Sequence, residues 1–329
     1  MSSQDPSSSP ILSPFLIQPR FVARVWGFND LRPWYDRTAD REPIGEVWLT
    51  GDDCKVSTGP RDGTTLATLF REFPKAMLGE ASHGAESPLL IKVIFAREKL
   101  SVQVHPDDRL AQKYGNPRGK SECWYALAAD SGAEVAVGLK PGVTMDEVRA
   151  GIHDGTLEAS LNMLPVEKGD MIFVDAGTVH AIWPGSILLE VQQNCDLTYR
   201  MYDYGRPREL HIEKSLEATR LATRAGKVIE RAMNGRTILI DVEYFRVERI
   251  PVAGSRASVT LPANDEPPSG LAYLFAAAGS ARLSSAAFEP FDLPARGVAC
   301  IPASAPSFTV EDLGGLDLIR ISPRWPAEV

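Results

Sequence analysis

The chain has 329 residues, of which 44% are hydrophobic and 24% are charged, a composition typical of a globular protein. Its 35 basic and 43 acidic residues give a net charge of −8, which argues against a general affinity for nucleic acid. No apolar run is long enough to span a membrane, so we expect no membrane partner.

The chain begins with the polar stretch MSSQDPSSSP, which lacks the basic-then-apolar order of a signal peptide. We expect residues 1–15 to form a disordered leader and the protein to be cytoplasmic. Its four cysteines are far apart and form no CxxC pair, so we expect free thiols in a reducing compartment. They are Cys54, Cys123, Cys195 and Cys300.

Two stretches are typical of helices and many more are typical of strands. The first helical stretch is TTLATLFREFPKAML, interrupted at Pro74, and the second is TMDEVRAGIHDGTLEASLNML, with Thr144 as its predicted N-cap. Short apolar runs bounded by turn residues predict strands in PLLIKVIFA, KLSVQVH, DMIFVDAG, SILLEVQQ, TILIDVEYFRVERI and GVACIPA. The pattern predicts a mainly β fold, a sandwich or barrel with helical insertions.

A weak internal repeat relates the two halves of the chain. KGDMIFVDAGTVHAI (168–182) and RGVACIPASAPSFTV (296–310) both read as strand, turn, strand. Their alignment pairs His180 with Phe308, so we expect any metal site only in the first half. We predict a metal-binding domain over residues 16–225 and a β domain without metal over 226–329, with a linker near 223–237.

Polar residues recur at alternate positions inside otherwise apolar strands. In LSVQVHPDD, Gln103 and His105 share one strand face, because side chains alternate along a strand. In GKSECWYAL, Lys120 and Glu122 share a face by the same spacing. Each pair alone is more typical of a solvated surface than of a site.

Two later segments add to this set. AGTVHAIW carries His180 beside a tight turn. In SILLEVQQNCDLTYR, the residues Glu190, Asp196 and Arg200 have equal parity and would face one way if the strand stays regular. Nitrogen and oxygen ligands without thiolate suit zinc, iron, manganese or nickel.

Four segments in this order resemble the signature sequences of type I phosphomannose isomerases: LSVQVHPDD, GKSECWY, AGTVHAI and NCDLTYRMYDYGRPRELHIEKSL. REPIGEVWLTG and FVARVWGFNDL resemble two earlier segments of that family. The ending TYRMYDYGR is similar to the compact bacterial branch. It departs from the RAGLTPK-like sequence of the longer enzymes, so substrate contacts beyond Arg200 stay open.

The resemblance implies a fold of two cupin jelly-roll β-sandwiches (a bicupin), with one zinc ion per chain in the first. It implies mannose-6-phosphate isomerase activity on a small hexose phosphate, through an enediol. The implied zinc ligands are Gln103, His105, Glu122 and His180. The implied catalytic residues are Lys120, Asp196, Arg200 and Glu190. We expect a monomer or homodimer.

Two alternatives stay open at this point: a cupin that binds a sugar or metal without turnover, and a cupin metal oxygenase. Presence of both Lys120 and Asp196 argues against the first, and a fourth neutral ligand at Gln103 argues against the second. The phosphate ligands are also open, with Arg97, Lys99, Arg206 and Arg208 as nearby basic side chains.

Overall fold

The computed structural model describes residues 10–79, 85–252, 257–261 and 270–324. Its strands, numbered in chain order, are β1 (Phe15–Gln18), β2 (Arg20–Phe28), β3 (Ile44–Trp48), β4 (Lys55–Val56), β5 (Leu89–Phe95), β6 (Val102–Val104), β7 (Glu122–Ala129), β8 (Glu134–Leu139), β9 (Leu161–Pro165), β10 (Met171–Val174), β11 (His180–Ile182), β12 (Ser186–Gln193) and β13 (Tyr199–Tyr202). They continue with β14 (Gly226–Val228), β15 (Arg231–Met233), β16 (Arg236–Asp241), β17 (Phe245–Ile250), β18 (Ser258–Leu261), β19 (Ala272–Ala278), β20 (Ala281–Ser285), β21 (Phe288–Leu293), β22 (Val298–Ile301), β23 (Phe308–Asp312) and β24 (Asp317–Pro323).

The α-helices are short and lie between strands. They are α1 (Leu66–Glu72), α2 (Pro74–Leu78), α3 (Asp108–Lys113), α4 (Met145–Asp154) and α5 (Ile212–Ala218), and single 3₁₀ turns span Gly59–Arg61 and Leu157–Ser160. The mainly β prediction is confirmed. No helix in the described ranges combines the length and apolarity needed to cross a lipid bilayer.

The chain forms two compact units that are not contiguous in sequence. One comprises residues 21–48 and 89–229, and the other comprises residues 1–20, 49–88 and 230–329. The chain passes from the first unit to the second after Ile229, inside the segment expected to be a linker. That segment carries strands β14 and β15. Residues 49–88 belong to the same unit as the C-terminal residues, so the N-terminal part of the chain is not one continuous domain.

The unit of residues 21–48 and 89–229, called here the first sandwich, contains two antiparallel sheets. The seven-stranded sheet has the order β14-β10-β7-β12-β5-β3-β2, and the five-stranded sheet has the order β13-β6-β11-β8-β9. One apolar core contains Trp124 and Leu188 from the larger sheet together with Val135 and Ile182 from the smaller. The two sheets therefore pack face to face.

The other unit, called here the second sandwich, repeats this arrangement. Its sheets have the orders β15-β16-β17-β24-β19-β22-β1-β4 and β18-β23-β20-β21, and a single apolar core draws on both. In each sandwich the hairpin of the predicted repeat, β10–β11 or β22–β23, runs from the larger sheet to the smaller. The bicupin description stays a prediction.

The five-stranded sheet is also covered on its other face. A separate core contains Val102 and Val104 of β6 with Val148 of α4 and Leu216 of α5. Helix α4 begins as predicted at Thr144, whose side chain forms a capping box with Glu147. The predicted helix over residues 144–164 was too long, because Gly155 ends α4 in the left-handed region at φ 71° and residues 161–165 pair with β8.

The remaining differences from the sequence predictions concern the N-terminus and two short helices. Of the expected leader, residues 1–9 lie outside the described residues. The backbone N–H of Leu12 donates to Ser304 Oγ, and Phe15 already begins β1. Helices α3 and α5 were not predicted, since each has fewer than eight residues and no clear apolar period.

Candidate active site

Because side chains alternate between the two faces of a strand, a set of polar side chains points into the interior of the first sandwich. Val102 and Val104 pack against the helices, so Gln103 between them faces the seven-stranded sheet. Val179, just before β11, and Ala181 on β11 pack on the helix side, and His180 between them therefore faces inward. The paired register aligns His180 with Gln103 and Gln103 with Arg200 across three neighbouring strands.

The opposite sheet contributes from its own inward positions. Trp124 and Leu188 belong to the shared core, so Glu122 and Glu190, each two residues away on the same strand, point the same way. Ile94 is also a core residue, which places Lys92 on this inner face. The site thus forms where inward positions of both sheets change from apolar to polar.

Three of the predicted ligands come together as a buried His–Glu–His group. Candidate ligand atoms of His105, Glu122 and His180 all lie within 4.8 Å of one another. Nε2 of His105 is 3.5 Å from Glu122 Oε2, and Nε2 of His180 is 3.5 Å from Glu122 Oε1. Among the described residues this is the one cluster of three or more His, Cys, Asp or Glu side chains with such geometry.

Backbone carbonyls orient both imidazoles. Nδ1–H of His105 donates to the carbonyl of Leu197, and Nδ1–H of His180 donates to that of Thr178, each at 2.9 Å. This leaves the Nε2 lone pairs directed at Glu122. Burial, aided by the charge of Lys120, lowers the pKa of His105 well below its usual value. Burial likewise lowers the pKa of His180 to about 4, so both rings are neutral near pH 7.

The group fits a divalent metal ion. His105 Nε2 is buried and has no hydrogen-bond partner in the described part of the chain, which is uncommon for buried polar atoms. Two neutral imidazoles and a carboxylate are a donor set typical of such ions. Nε2 of Gln103 lies 3.2 Å from His180 Nε2, and turning the amide over would present its oxygen there instead.

A buried series of alternating charges extends from this group. Lys120 Nζ is 3.2 Å from Glu122 Oε2 and 3.8 Å from Glu190 Oε1. Lys92 Nζ is 2.9 Å from the same Glu190 oxygen and 4.0 Å from Glu46 Oε2. Burial, aided by Glu122, raises the pKa of Glu190 despite the two lysines. A carboxyl group with a raised pKa between two ammonium groups is suited to proton transfer.

The series of alternating charges ends at Glu46, which pairs with Arg24. Arg24 donates to the two Glu46 oxygens at 2.9 Å each, and Trp48 Nε1–H donates to Oε2 at 2.7 Å. Burial favours the neutral acid, but Lys92 and Arg24 outweigh it and lower the pKa of Glu46 to about 2. Burial also lowers the pKa of Lys92, yet Glu190 and Glu46 outweigh that effect and raise it overall.

The loops that carry His105 and Lys120 are tied together. The backbone N–H of Lys120 donates to the carbonyl of Pro106 at 3.0 Å, and that of Gly119 donates to Asp108 Oδ1 at 2.7 Å. A Cβ on Gly119 would lie 2.5 Å from the Pro106 oxygen, so only glycine allows this approach. The positions of the imidazole and the ammonium group are therefore coupled through the backbone.

A cavity of about 500 Å³ opens beside the group. Gln103 and Lys120 line it, and each contacts a residue of the His–Glu–His group. Glu190, Asp196 and Arg200 line it as well. The strand does not stay regular through these three residues: β12 ends at Gln193, residues 194–198 connect it to β13, and Arg200 lies in the other sheet.

Sequence reasoning missed Lys92, Glu46 and Arg24, all of which line the cavity. A signal existed for Lys92, because it is a lone charge in the apolar run LLIKVIF and is only 3% exposed. Glu46 lies in the PIGE segment already quoted for the family resemblance. Arg24 has no local signal, since its partner is far away in sequence.

Comparison with known proteins gives concordant results. Residues 15–147 match the family model described as phosphomannose isomerase type I, catalytic domain. A mannose-6-phosphate isomerase of Streptococcus mutans is 34% identical over 255 residues, covering 74% of this chain and 80% of the relative. A probable mannose-6-phosphate isomerase of Bacillus subtilis is 31% identical over 316 residues, covering 91% of this chain and 96% of the relative.

A solved structure agrees over nearly the full length. The crystal structure of the mannose 6-phosphate isomerase from Bacillus subtilis superposes with a TM-score of 0.83 at 31% identity, covering 94% of this chain and 99% of that one. On sequence and fold together, this chain belongs to the type I phosphomannose isomerase family.

Proposed function

We propose that this chain interconverts mannose 6-phosphate and fructose 6-phosphate by aldose–ketose isomerisation through an enediol. The observation that carries the proposal is the contact of Lys120 Nζ with Glu122, at 3.2 Å, where a proton-transfer group adjoins the His–Glu–His group at a cavity wall. The cavity volume of about 500 Å³ is typical of small-molecule sites. Family membership supplies the substrate.

We propose one zinc ion per chain, held by His105, Glu122 and His180 with Gln103 as the fourth ligand. A bound zinc ion supplies Lewis acidity that stabilises negative charge on a substrate oxygen. Neutral Nε2 atoms and a buried carboxylate support this choice, since thiolate is absent from the group.

The protein's own groups would move and hold the protons. Isomerisation transfers a proton between C1 and C2, and we assign that transfer to Lys120. Its neighbours Glu122 and Glu190 hold the ammonium group at the cavity wall. Glu190 also contacts Lys92 at 2.9 Å and therefore positions both lysines.

Asp196 and Arg200 complete the proposed machinery. Asp196 lines the cavity and would exchange a proton with a substrate hydroxyl or carbonyl oxygen. Arg200 lies on the inner face of the five-stranded sheet, in register with Gln103, and would bind anionic oxygen of the substrate. The second sandwich would carry no metal and would be structural.

The test is an assay of the purified protein with mannose 6-phosphate, in which fructose 6-phosphate is measured, combined with metal analysis. We expect turnover that a chelator abolishes and zinc restores. Metal or sugar binding without turnover would instead indicate a non-catalytic binding protein. Oxygen consumption by an iron-loaded sample would indicate a metal oxygenase. A small-molecule substrate, a monomer or homodimer and a cytoplasmic location remain parts of the proposal.

A further inference from the structure

Two arginine side chains add a second concentration of charge to the lining of the cavity. Arg200 and Arg208 both line the cavity. Arg208 is held by Asp203, a buried carboxylate that accepts from Nε and Nη2 at 2.6 Å each. This bidentate contact orients the guanidinium plane and leaves its remaining N–H groups free to meet a ligand.

Positive charge exceeds negative charge in the cluster formed by Arg200, Arg206, Arg208 and Asp203. Asp203 also accepts from Arg206, at 3.4 Å, so one carboxylate faces two guanidinium groups. Arg200 donates through Nη1 to the neutral carbonyl of Glu209, and its buried Nε has no hydrogen-bond partner among the described residues. Burial and the nearby charge of Arg208 both lower the pKa of Arg200, a sign that two cations lie close together.

The carboxylates that line the cavity already face cations other than Arg200 and Arg208. Glu46 is bound to Arg24, and Glu190 is bound to Lys92. Asp196 acts on Lys92, whose pKa it helps to raise, although burial opposes that rise. The exposed Glu209 lies 3.9 Å from His211 and does not line the cavity.

We infer that Arg208, positioned by Asp203, binds the phosphate group of the substrate and sets the preference for a phosphorylated over a free sugar. The inference rests on the proposed function. In a hexose 6-phosphate, C1 and C2 lie at the opposite end of the molecule from the phosphate. With the reacting carbons beside Lys120, we assign the phosphate at the other end of the substrate to Arg208, which lines the same cavity.

Arg206 offers a matched control within the same cluster. It shares Asp203 with Arg208, yet it does not line the cavity, and its second contact is the backbone carbonyl of Lys99. The cation of Lys99 is likewise occupied, by Glu158 at 2.7 Å and the ring of Trp183 at 3.9 Å. Loss of Arg206 therefore disturbs the cluster without removing the proposed ligand.

The experiment compares wild type, Arg208→Gln, Arg208→Lys and Arg206→Gln. We expect Arg208→Gln to raise KM for mannose 6-phosphate about tenfold or more with a much smaller change in kcat, and to weaken competitive inhibition by inorganic phosphate by a similar factor. Arg208→Lys should recover part of both losses, which excludes misfolding as their cause. Equal effects of Arg206→Gln, or an unchanged KM in Arg208→Gln, would overturn the inference.

A calorimetric titration with inorganic phosphate separates this inference from the proposed function. If wild type fails to isomerise mannose 6-phosphate, the proposed function is wrong. Phosphate binding that Arg208→Gln weakens and Arg206→Gln spares would still support the anion site. Equal binding to all four proteins would contradict it.

Discussion

The ammonium group of Lys92 lies 2.9 Å from Oε1 of Glu190, and the register of β5 and β12 places the two residues directly opposite each other. Both side chains are almost fully buried, so water solvates each charge poorly. Breaking such a pair by removing one member costs about 3–5 kcal/mol, since the other charge stays buried. The same oxygen of Glu190 also faces Lys120, the proposed proton-transfer group. Glu190 therefore links Lys92 on β5 to Lys120.

The metal assignment predicts a specific loss in His105→Ala. Removal of one ligand should weaken metal affinity by at least about 100-fold, because even loss of a group that only orients a ligand costs 10–100-fold. Activity should fall with it. Metal content after dialysis and the isomerase rate measure both. His153→Ala, at an exposed position on α4, is the matched control and should change neither. Full activity of a metal-free sample would refute the assignment.

Lys120→Ala should separate chemistry from metal binding. The change removes a cation next to Glu122 but no metal ligand, so the variant should keep its metal. If Lys120 transfers the proton, kcat should fall by a factor on the order of 10² or more. Washout of deuterium from C2 of labelled mannose 6-phosphate should slow in parallel. Lys168→Ala, at an exposed lysine, serves as control. Near-normal kcat and deuterium washout in Lys120→Ala would show that another group transfers the proton.

The lowered pKa of Glu46 predicts that the stability of the fold depends on pH. Its folded-state pKa is about 2 against an ordinary value of 4.5, because Lys92 and Arg24 outweigh the effect of burial. The unfolded chain therefore takes up this proton first as pH falls, and the stabilising contribution is present above about pH 4.5 and lost toward pH 2. Between about pH 5 and 3, the urea midpoint of wild type should fall more steeply than that of Glu46→Gln.

The comparison needs a second carboxylate variant, since many acids titrate in this range. Glu98→Gln is suitable: Glu98 is exposed and forms no ion pair within the described residues. Its pH slope should match that of wild type. Parallel slopes for wild type and Glu46→Gln would show that the ion pair with Arg24 does not contribute as inferred.

The second sandwich should bind no metal. Phe308, which aligns with His180 in the predicted repeat, is buried in an apolar core together with Leu283 and Val310. Phe308→His should therefore lower the thermal midpoint, because it buries a polar ring among apolar side chains, and should leave the metal content at one ion per chain. Elemental analysis of both proteins provides the measurement. A second equivalent in the wild-type protein would contradict the proposal.

Local features of the fold could be predicted from sequence, while long-range pairings could not. The interior position of Gln103 follows from alternation inside one short strand, and the start of α4 follows from the Thr144 and Glu147 cap. The contact of Lys92 with Glu190 depends on the register of two strands almost a hundred residues apart, which no local pattern encodes. The same limit hid the place of residues 49–88, which lie with the C-terminal half.

For the site, the spacing argument succeeded where the chain stays extended and failed where it turns. Glu190, Asp196 and Arg200 do line one cavity, but the condition of a regular strand is not met, because two strands and a connection carry them. Arg208 could not be distinguished from Arg206 by sequence. Only the fold shows which of the two guanidinium groups lines the cavity.

The row formed by His180, Gln103 and Arg200 crosses three strands of one sheet in register. Adjacent strands are separated by about 4.8 Å, so the backbone holds the first and last members of this row roughly 10 Å apart. This separation is a property of hydrogen-bonded strand spacing and is independent of which side chains occupy the positions. Substitution can change the chemistry at either end of the row, but a point mutation does not change the distance between the two ends.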